Sequence, residues 1–545
     1  MTGYDVIVVG AGGSGAPLAA RLSEDPSCRV LLLEAGPVPG SVAAFPRELL
    51  DPASLAGAVP GHPNNWSYLA QLTPELAYTV ARGRIAGGST ALNGAYYVRP
   101  RRADLDEYAA LAGVQWSYDE CLPAMERAER DLDFGGLSGH GVHGPLPIVR
   151  RAESDQHPIT AAFAAASREL GFVDETDKNG EQRPGVGMVP MNVADGRRVN
   201  TAMAYLYPNL DRPNLAVRGE AQVRRVLLRG TRAAGVELVG GESLWADEVV
   251  LSAGAIGSPH LLALSGLGPP EELVAAGIEV VVGLPGVGKG FSDHPEVFVQ
   301  WTTRRGARLP RPATALEAAL NFNSTDSTAD GDLELMPLLR PTSALLGIGG
   351  GEYAGLRRLA ARPVAAVRSI AGMSLRRTAS QLAHKHELAV IAAVQRAQSR
   401  GSITVTSADP SVAPRLDYHY LEQVDDRRRM REAVRAGVQL LRSPAFGELL
   451  GSVTDLDGST LEDDAALDAW ARTHLATAIH ACGSCAMGAD PEAGAVVDGY
   501  GRVHGIDGLR VGDTSILPFA PSRGPAASAV LVGERMAELI RADAN

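Results

Sequence analysis

His480 stands two residues before a Cys482-x-x-Cys485 string and six after His474. A histidine takes up and releases a proton near neutral pH, so His480 is a candidate general base. The plainer reading is a core histidine on an apolar strand. The two cysteines with two histidines have the side-chain types of a zinc or redox centre, or are simply small buried side chains. At the other end of the chain, Gly10-Ala11-Gly12-Gly13-Ser14-Gly15 has the spacing of a dinucleotide turn. Gly10 permits the tight turn, Gly12 the approach of a pyrophosphate, and Gly15 the packing of helix on strand. Glu34, 24 residues after Gly10, is placed to accept ribose hydroxyls and disfavours a 2′-phosphate.

The elements that must position these groups follow from the pattern around them. Tyr4–Val9 reads as a buried parallel strand, Ala16–Leu22 as a helix whose N-terminus faces the phosphates, and Arg29–Leu33 as a second strand ending at Glu34. Pro17 is tolerable if the helix starts near Gly13. Residues 36–80, rich in Pro and Gly, read as a surface excursion, and 103–133 as helical. Short strands are expected at Leu215–Val217, Val223–Leu228, Gly235–Leu238, Glu248–Ser252 and Leu509–Val511, and a closing helix from Ala526 to Ala542. The class is α/β, with the nucleotide domain assembled from separate parts of the chain.

With 545 residues, two domains are expected. A net charge of −12 argues against nucleic acid as a partner. Four cysteines are too few for a disulfide scaffold, no signal peptide is visible and no apolar run of about 18 residues is present. A cytoplasmic protein without a transmembrane segment is the expectation. Between Leu356 and His386, six arginines and a lysine occur without an acidic residue, which admits peripheral contact with an anionic membrane or a solvated helix face.

Two longer segments resemble the signatures of the glucose–methanol–choline (GMC) flavoenzymes. The first is Gly83-Arg84-Ile85-Ala86-Gly87-Gly88-Ser89-Thr90-Ala91-Leu92-Asn93-Gly94-Ala95-Tyr96-Tyr97, and the second runs from Gly254 to Gly268. Gly286-Val287-Gly288, leading to Asp293-His294, is similar to a third landmark, and His474–Gly488 resembles the active-site segment. The resemblance implies FAD as cofactor, a Rossmann-type FAD-binding domain, and an α+β substrate-binding domain built on an antiparallel sheet. The implied boundaries are 1–150, 201–296 and 476–545 for the first domain, and 151–200 and 297–475 for the second. It implies that Gly12, Gly13, Ser14, Gly15, Glu34, Ala35, Arg84, Gly87, Gly88, Asn93, Gly94 and Ala95 surround the cofactor. Val223 would present its backbone to the adenine, and Asp513 and Thr514 would turn amides toward the cofactor. His480 would take the O–H proton of an alcohol while its hydride passes to flavin N5. The cysteines then read as packing residues, and no metal is expected.

The usual second histidine or asparagine of the family falls here on Gly524, which has no side chain to offer. Arg523 is therefore expected either to supply fixed positive charge to the alkoxide or reduced flavin, or to point away. The string Ser522-Arg523-Gly524-Pro525-Ala526-Ala527, with Asp293-His294-Pro295-Glu296 and Leu92–Tyr97, is similar to the mycofactocin-associated dehydrogenases. That likeness implies reduced mycofactocin as the small-molecule alcohol substrate and a respiratory electron acceptor. The competing readings are a choline-, sugar- or aryl-alcohol-type oxidase using O2, an NAD-dependent dehydrogenase, and a non-catalytic FAD-binding protein.

Overall fold

Val6, Ile7, Val8 and Val9 are buried, as β-branched residues are in a strand covered on both faces. They form the centre of the strand Tyr4–Val9 in a computed structural model that describes residues 3–341, 343 and 387–544. The basic stretch between Leu356 and His386 lies outside the described residues. Tyr4–Val9 pairs in parallel with Val30–Leu33 on one side and with Ser243–Leu251 on the other. Leu215–Arg218 and Leu509–Val511 continue the parallel sheet outward. Val223–Arg229 and Arg232–Leu238 extend it through antiparallel pairing with the start of Ser243–Leu251.

The chain leaves Tyr4–Val9 for one neighbour and later returns on the other side. The carboxyl end of that strand is therefore a topological switch point, where open α/β sheets bind ligands. The helix Gly15–Leu22 starts there and packs against the closing helix Ala526–Ala544. Pro17 occupies the first turn, where its missing N–H has no helical partner to lose.

A second core lies beneath an antiparallel sheet. Its strands run in the order Leu450–Val453, Pro295–Thr303, Leu388–Val394, Leu333–Pro337, Ala318–Phe322 and Val186–Met188, and Ala476–Thr477 also pairs with Pro295–Thr303. One face, with Val297, Val299, Trp301, Leu335 and Val390, packs on Met430, Val434 and Val438 of the helix Val424–Leu441. The register places Glu296, Ala393, Glu334 and Asn321 in one row across four strands. Side chains alternate along a strand, so this row faces away from that core.

The excursion expected over residues 36–80 needs correcting. Tyr68–Thr73 and Leu76–Val80 form a hairpin in a five-stranded sheet with Arg415–Asp417, Gly401–Thr404 and Lys289–Phe291, and Ala70, Leu72, Leu76 and Val80 are buried in the second core. Phe45 and Leu49 are buried in the first core. Pro and Gly mark the bends of this segment, while partners more than 300 residues away supply its pairing.

Candidate active site

Two glycine segments meet backbone to backbone at the switch point. Gly87 N–H donates to Ala11 O at 2.8 Å, and a Cβ on Gly88 would lie 2.7 Å from the Cα of Gly12. Gly88 has φ +52°, the left-handed region that favours glycine, and any side chain there would also fill the shallow floor between the segments. Gly10 stands at φ +104° with its Cβ direction blocked by Ser252 O, so the tight turn excludes other residues. Gly13 lies against Ala529 of the closing helix, and Ser14 stands at the N-cap without a side-chain bond to the helix. The first helical N–H groups are thus presented beside Gly87 and Gly88.

Glu34 is buried, and its carboxylate accepts from Ala11 N at 3.0 Å and Gly36 N at 2.8 Å. Burial raises its pKa while these two amides and Arg84 act the other way. Two bonds leave a carboxylate with further acceptor capacity for ribose hydroxyls. Ala35 O accepts from Arg84 Nη2 at 3.0 Å, which ties the second glycine segment to the end of Val30–Leu33. Ala221 N–H donates to Glu34 O at 2.8 Å, which brings the start of Val223–Arg229 alongside. Asn93 Oδ1 accepts from Ala95 N at 3.1 Å, and Ala95 takes φ +58°, so the Asn93–Gly94–Ala95 turn is set by its own side chain. The Asn93 amide nitrogen remains available as a donor.

Asp513 and Thr514 tie this cradle to the histidine segment. The Asp513 carboxylate accepts from Gly254 N at 2.9 Å, Ser258 Oγ at 2.5 Å and Ser515 N at 2.8 Å, which anchors the helix Gly254–Leu264. Thr514 Oγ1 donates to Ala481 O at 3.3 Å, next to His480.

His480 sits on a bulge. Thr477 pairs with Pro295 and Cys482 with Ser292, so four residues on one strand face two on the other. The surplus is absorbed at Ile479, whose φ of +64° is strained for a β-branched residue. Arg82 Nη1 donates to Ile479 O at 2.6 Å. The displaced His480 ring meets His294, with Nδ1 to Nδ1 at 2.9 Å and the rings edge to face.

The proton positions in this pair follow from the partners. His294 Nε2 lies 2.9 Å from Pro521 O, a pure acceptor, so that nitrogen carries the proton. Burial pushes the His294 pKa down to about 4, so its Nδ1 is a bare acceptor. The proton between the rings therefore belongs to His480 Nδ1. Burial, then His294 and Arg82, hold His480 well below the usual histidine value, so its Nε2 carries a free lone pair at neutral pH. Gly524 lies in front of it: a Cβ there would come 3.3 Å from Nε2 and 3.2 Å from Cε1. In the sequence His294 is only part of the Asp293-His294 landmark. Nothing local marks it as the partner of a residue 186 positions away.

Residues 4–296 match the N-terminal part and residues 397–533 the C-terminal part of the GMC oxidoreductase family. The chain belongs to the GMC oxidoreductases. It is 39% identical over 99% of its length to an uncharacterized GMC-type oxidoreductase in the thcA 5′ region of Rhodococcus erythropolis, covering 98% of that protein. It is 35% identical, again over 99% of its length, to an oxygen-dependent choline dehydrogenase of Klebsiella pneumoniae strain 342, covering 96% of that protein. Pyridoxine 4-oxidase from Mesorbium loti superposes with a TM-score of 0.84 at 27% identity, covering 99% of each chain. This GMC oxidoreductase is an enzyme acting on CH–OH groups with FAD as its cofactor. The residues present fit that group: a floor bare of side chains at Gly12 and Gly88, a helix N-terminus beside it, and a carboxylate at Glu34.

Arg523 does not stand free at the reacting centre. It is 2% exposed, and its guanidinium donates to the Glu175 carboxylate and to Lys178 O. Glu175 also accepts from Lys178 Nζ at 2.7 Å and Arg101 at 3.0 Å. Arg523 is thus paired rather than free, and Arg82 is a cation that bears on His480. Cys482 and Cys485 are fully buried free thiols, raised by burial, and they pack in the first core.

Proposed function

We propose that His480 Nε2 is the base that removes the hydroxyl proton of an alcohol, with FAD lying on the floor formed by Gly12–Gly15, Gly87–Gly88 and Asn93–Ala95. The observation that carries this reading is the hydrogen-bond chain from Pro521 O through His294 to His480 Nδ1, which leaves His480 Nε2 beside the bare backbone of Gly524. Bound FAD supplies the hydride acceptor. When Nε2 takes the proton, the imidazolium keeps its Nδ1–H bond to His294, whose opposite N–H rests on Pro521 O, so no ring has to turn. Backbone amides at the helix N-terminus and the Glu34 carboxylate hold the two ends of the nucleotide. Val223, Asp513 and Thr514 set the strand ends that shape the cradle.

For the substrate, we assign reduced mycofactocin, with electrons passed to a respiratory acceptor. The support is the likeness of Ser522–Ala527, Asp293–Glu296 and Leu92–Tyr97 to that subgroup. A choline-type oxidase using O2 is the second reading, favoured by the relative of Klebsiella pneumoniae. Anaerobic bleaching of the flavin absorbance by reduced mycofactocin and by a panel of alcohols tests the first. Oxygen consumption against an artificial acceptor separates the two. Bleaching by choline with stoichiometric O2 uptake, and none by reduced mycofactocin, would overturn the first in favour of the second.

A further inference from the structure

We infer that Asp293 is the positioning residue of the histidine pair: its carboxylate, in place of a sheet carbonyl, holds the backbone of both His294 and His480 and so sets the aim of His480 Nε2. Antiparallel pairing runs from Glu296 and Pro295 to Ala476 and Thr477, continues with Ala478 N donating to His294 O at 3.1 Å, and resumes at Ser292 with Cys482. Between them the bulge carries the His480 amide beyond the reach of a ladder carbonyl. Asp293 Oδ1 accepts that amide at 2.7 Å and the His294 amide at 2.7 Å. One oxygen atom therefore fixes both backbones whose rings share a proton.

The surroundings are built for this grip. Asp293 is 2% exposed, and the Thr477 side chain lies against its carboxylate. Burial pushes the carboxyl up to about 6, while Arg82, the two amides and the Thr477 side chain act to keep it ionised. Arg82 also fastens the strained Ile479 carbonyl on the far side of the bulge. Asp293 touches neither ring, so its effect on the reaction runs through His480 and His294. Releasing the bulge by about 1 Å would lower turnover on the order of 100-fold.

The inference rests on His480 as the proton acceptor only for its kinetic half. The experiment compares Asp293→Asn and Asp293→Ala in the FAD-loaded protein, reading flavin content, kcat, KM and the ring-nitrogen NMR signals of 15N-labelled histidine. Asparagine keeps an oxygen at the Oδ1 position, so D293N should hold kcat within about 3-fold, with His294 protonated at Nε2 and His480 at Nδ1. D293A should lose about 100-fold in kcat with KM within a few-fold, and its two ring signals should average between tautomers. Unchanged tautomer signals in D293A, or a D293N as impaired as D293A, would overturn positioning. Should D293A not fold, altered tautomers in D293N alone overturn it. Full turnover in His480→Ala would instead remove the base assignment and leave the NMR result standing.

Discussion

At His480 one ring nitrogen is committed and the other is free, and that asymmetry is imposed from outside the residue. His294 Nδ1 accepts the hydrogen bond from His480 Nδ1–H because the proton of His294 is on Nε2, where it is spent on Pro521 O. His480→Ala should therefore keep FAD bound but lose about 100- to 10,000-fold in kcat, checked by steady-state assay on protein of matched flavin content. Gly524 makes a second prediction. A Cβ added there would stand 3.2 Å from the ring, tighter than ordinary contact, so Gly524→Val should crowd Nε2. The expected loss is at least 10-fold in kcat/KM with the flavin spectrum unchanged. Arg523 gives a third. Its guanidinium is bound to Glu175, which also holds Lys178 and Arg101 in a buried cluster, so Arg523→Gln should destabilise by about 3 kcal/mol in chemical denaturation. An equally large fall in kcat at unchanged stability would return it to the reacting centre.

At the scale of elements, the cradle is two loops whose backbones touch. Gly88→Val cannot keep both the left-handed φ and the contact with Gly12. It should purify folded but with flavin absorbance reduced at least tenfold, whereas a yellow variant would place FAD elsewhere. Much of this element was legible in the sequence. Tyr4–Val9 is a β-branched run bounded by glycine, and Leu509–Val511 and the helix from Ala526 carry similar local patterns. The hairpin Tyr68–Val80 was not legible, because its neighbouring strand Arg415–Asp417 is remote in sequence and its flanks read as loop. The bulge at Ile479 was equally hidden. Its two surplus residues exist only relative to the Ser292–Pro295 strand that they face.

Across the whole molecule, buried ionic clusters join segments that the two sheets leave apart. His140 is set among Glu129, Asp131 and Asp177, with Arg150 bound to Asp131 and Asp177. Burial opposes charge on His140, but its bonds to Asp131, Asp177 and Glu129 prevail and raise its pKa to about 11. A raised histidine pKa stabilises fully below the unfolded value of about 6.5, and the gain is lost as pH rises through the folded value. His140→Gln should therefore lower Tm at pH 6, and the gap from the parent protein should narrow steadily toward pH 11. A gap independent of pH would assign the effect to packing. Among the described residues no helix is long and apolar enough to cross a membrane. The amino-acid sequence by itself determined the glycine turn after Tyr4–Val9 and the parallel strands around it, because glycine spacing and β-branched runs act over a few neighbouring residues. Only the tertiary structure decided that His294 orients His480, that Asp293 grips both, and that Arg523 is spent on Glu175. Those contacts join positions 186, 187 and 348 residues apart, and such proximity is set by how two cores pack rather than by any local pattern.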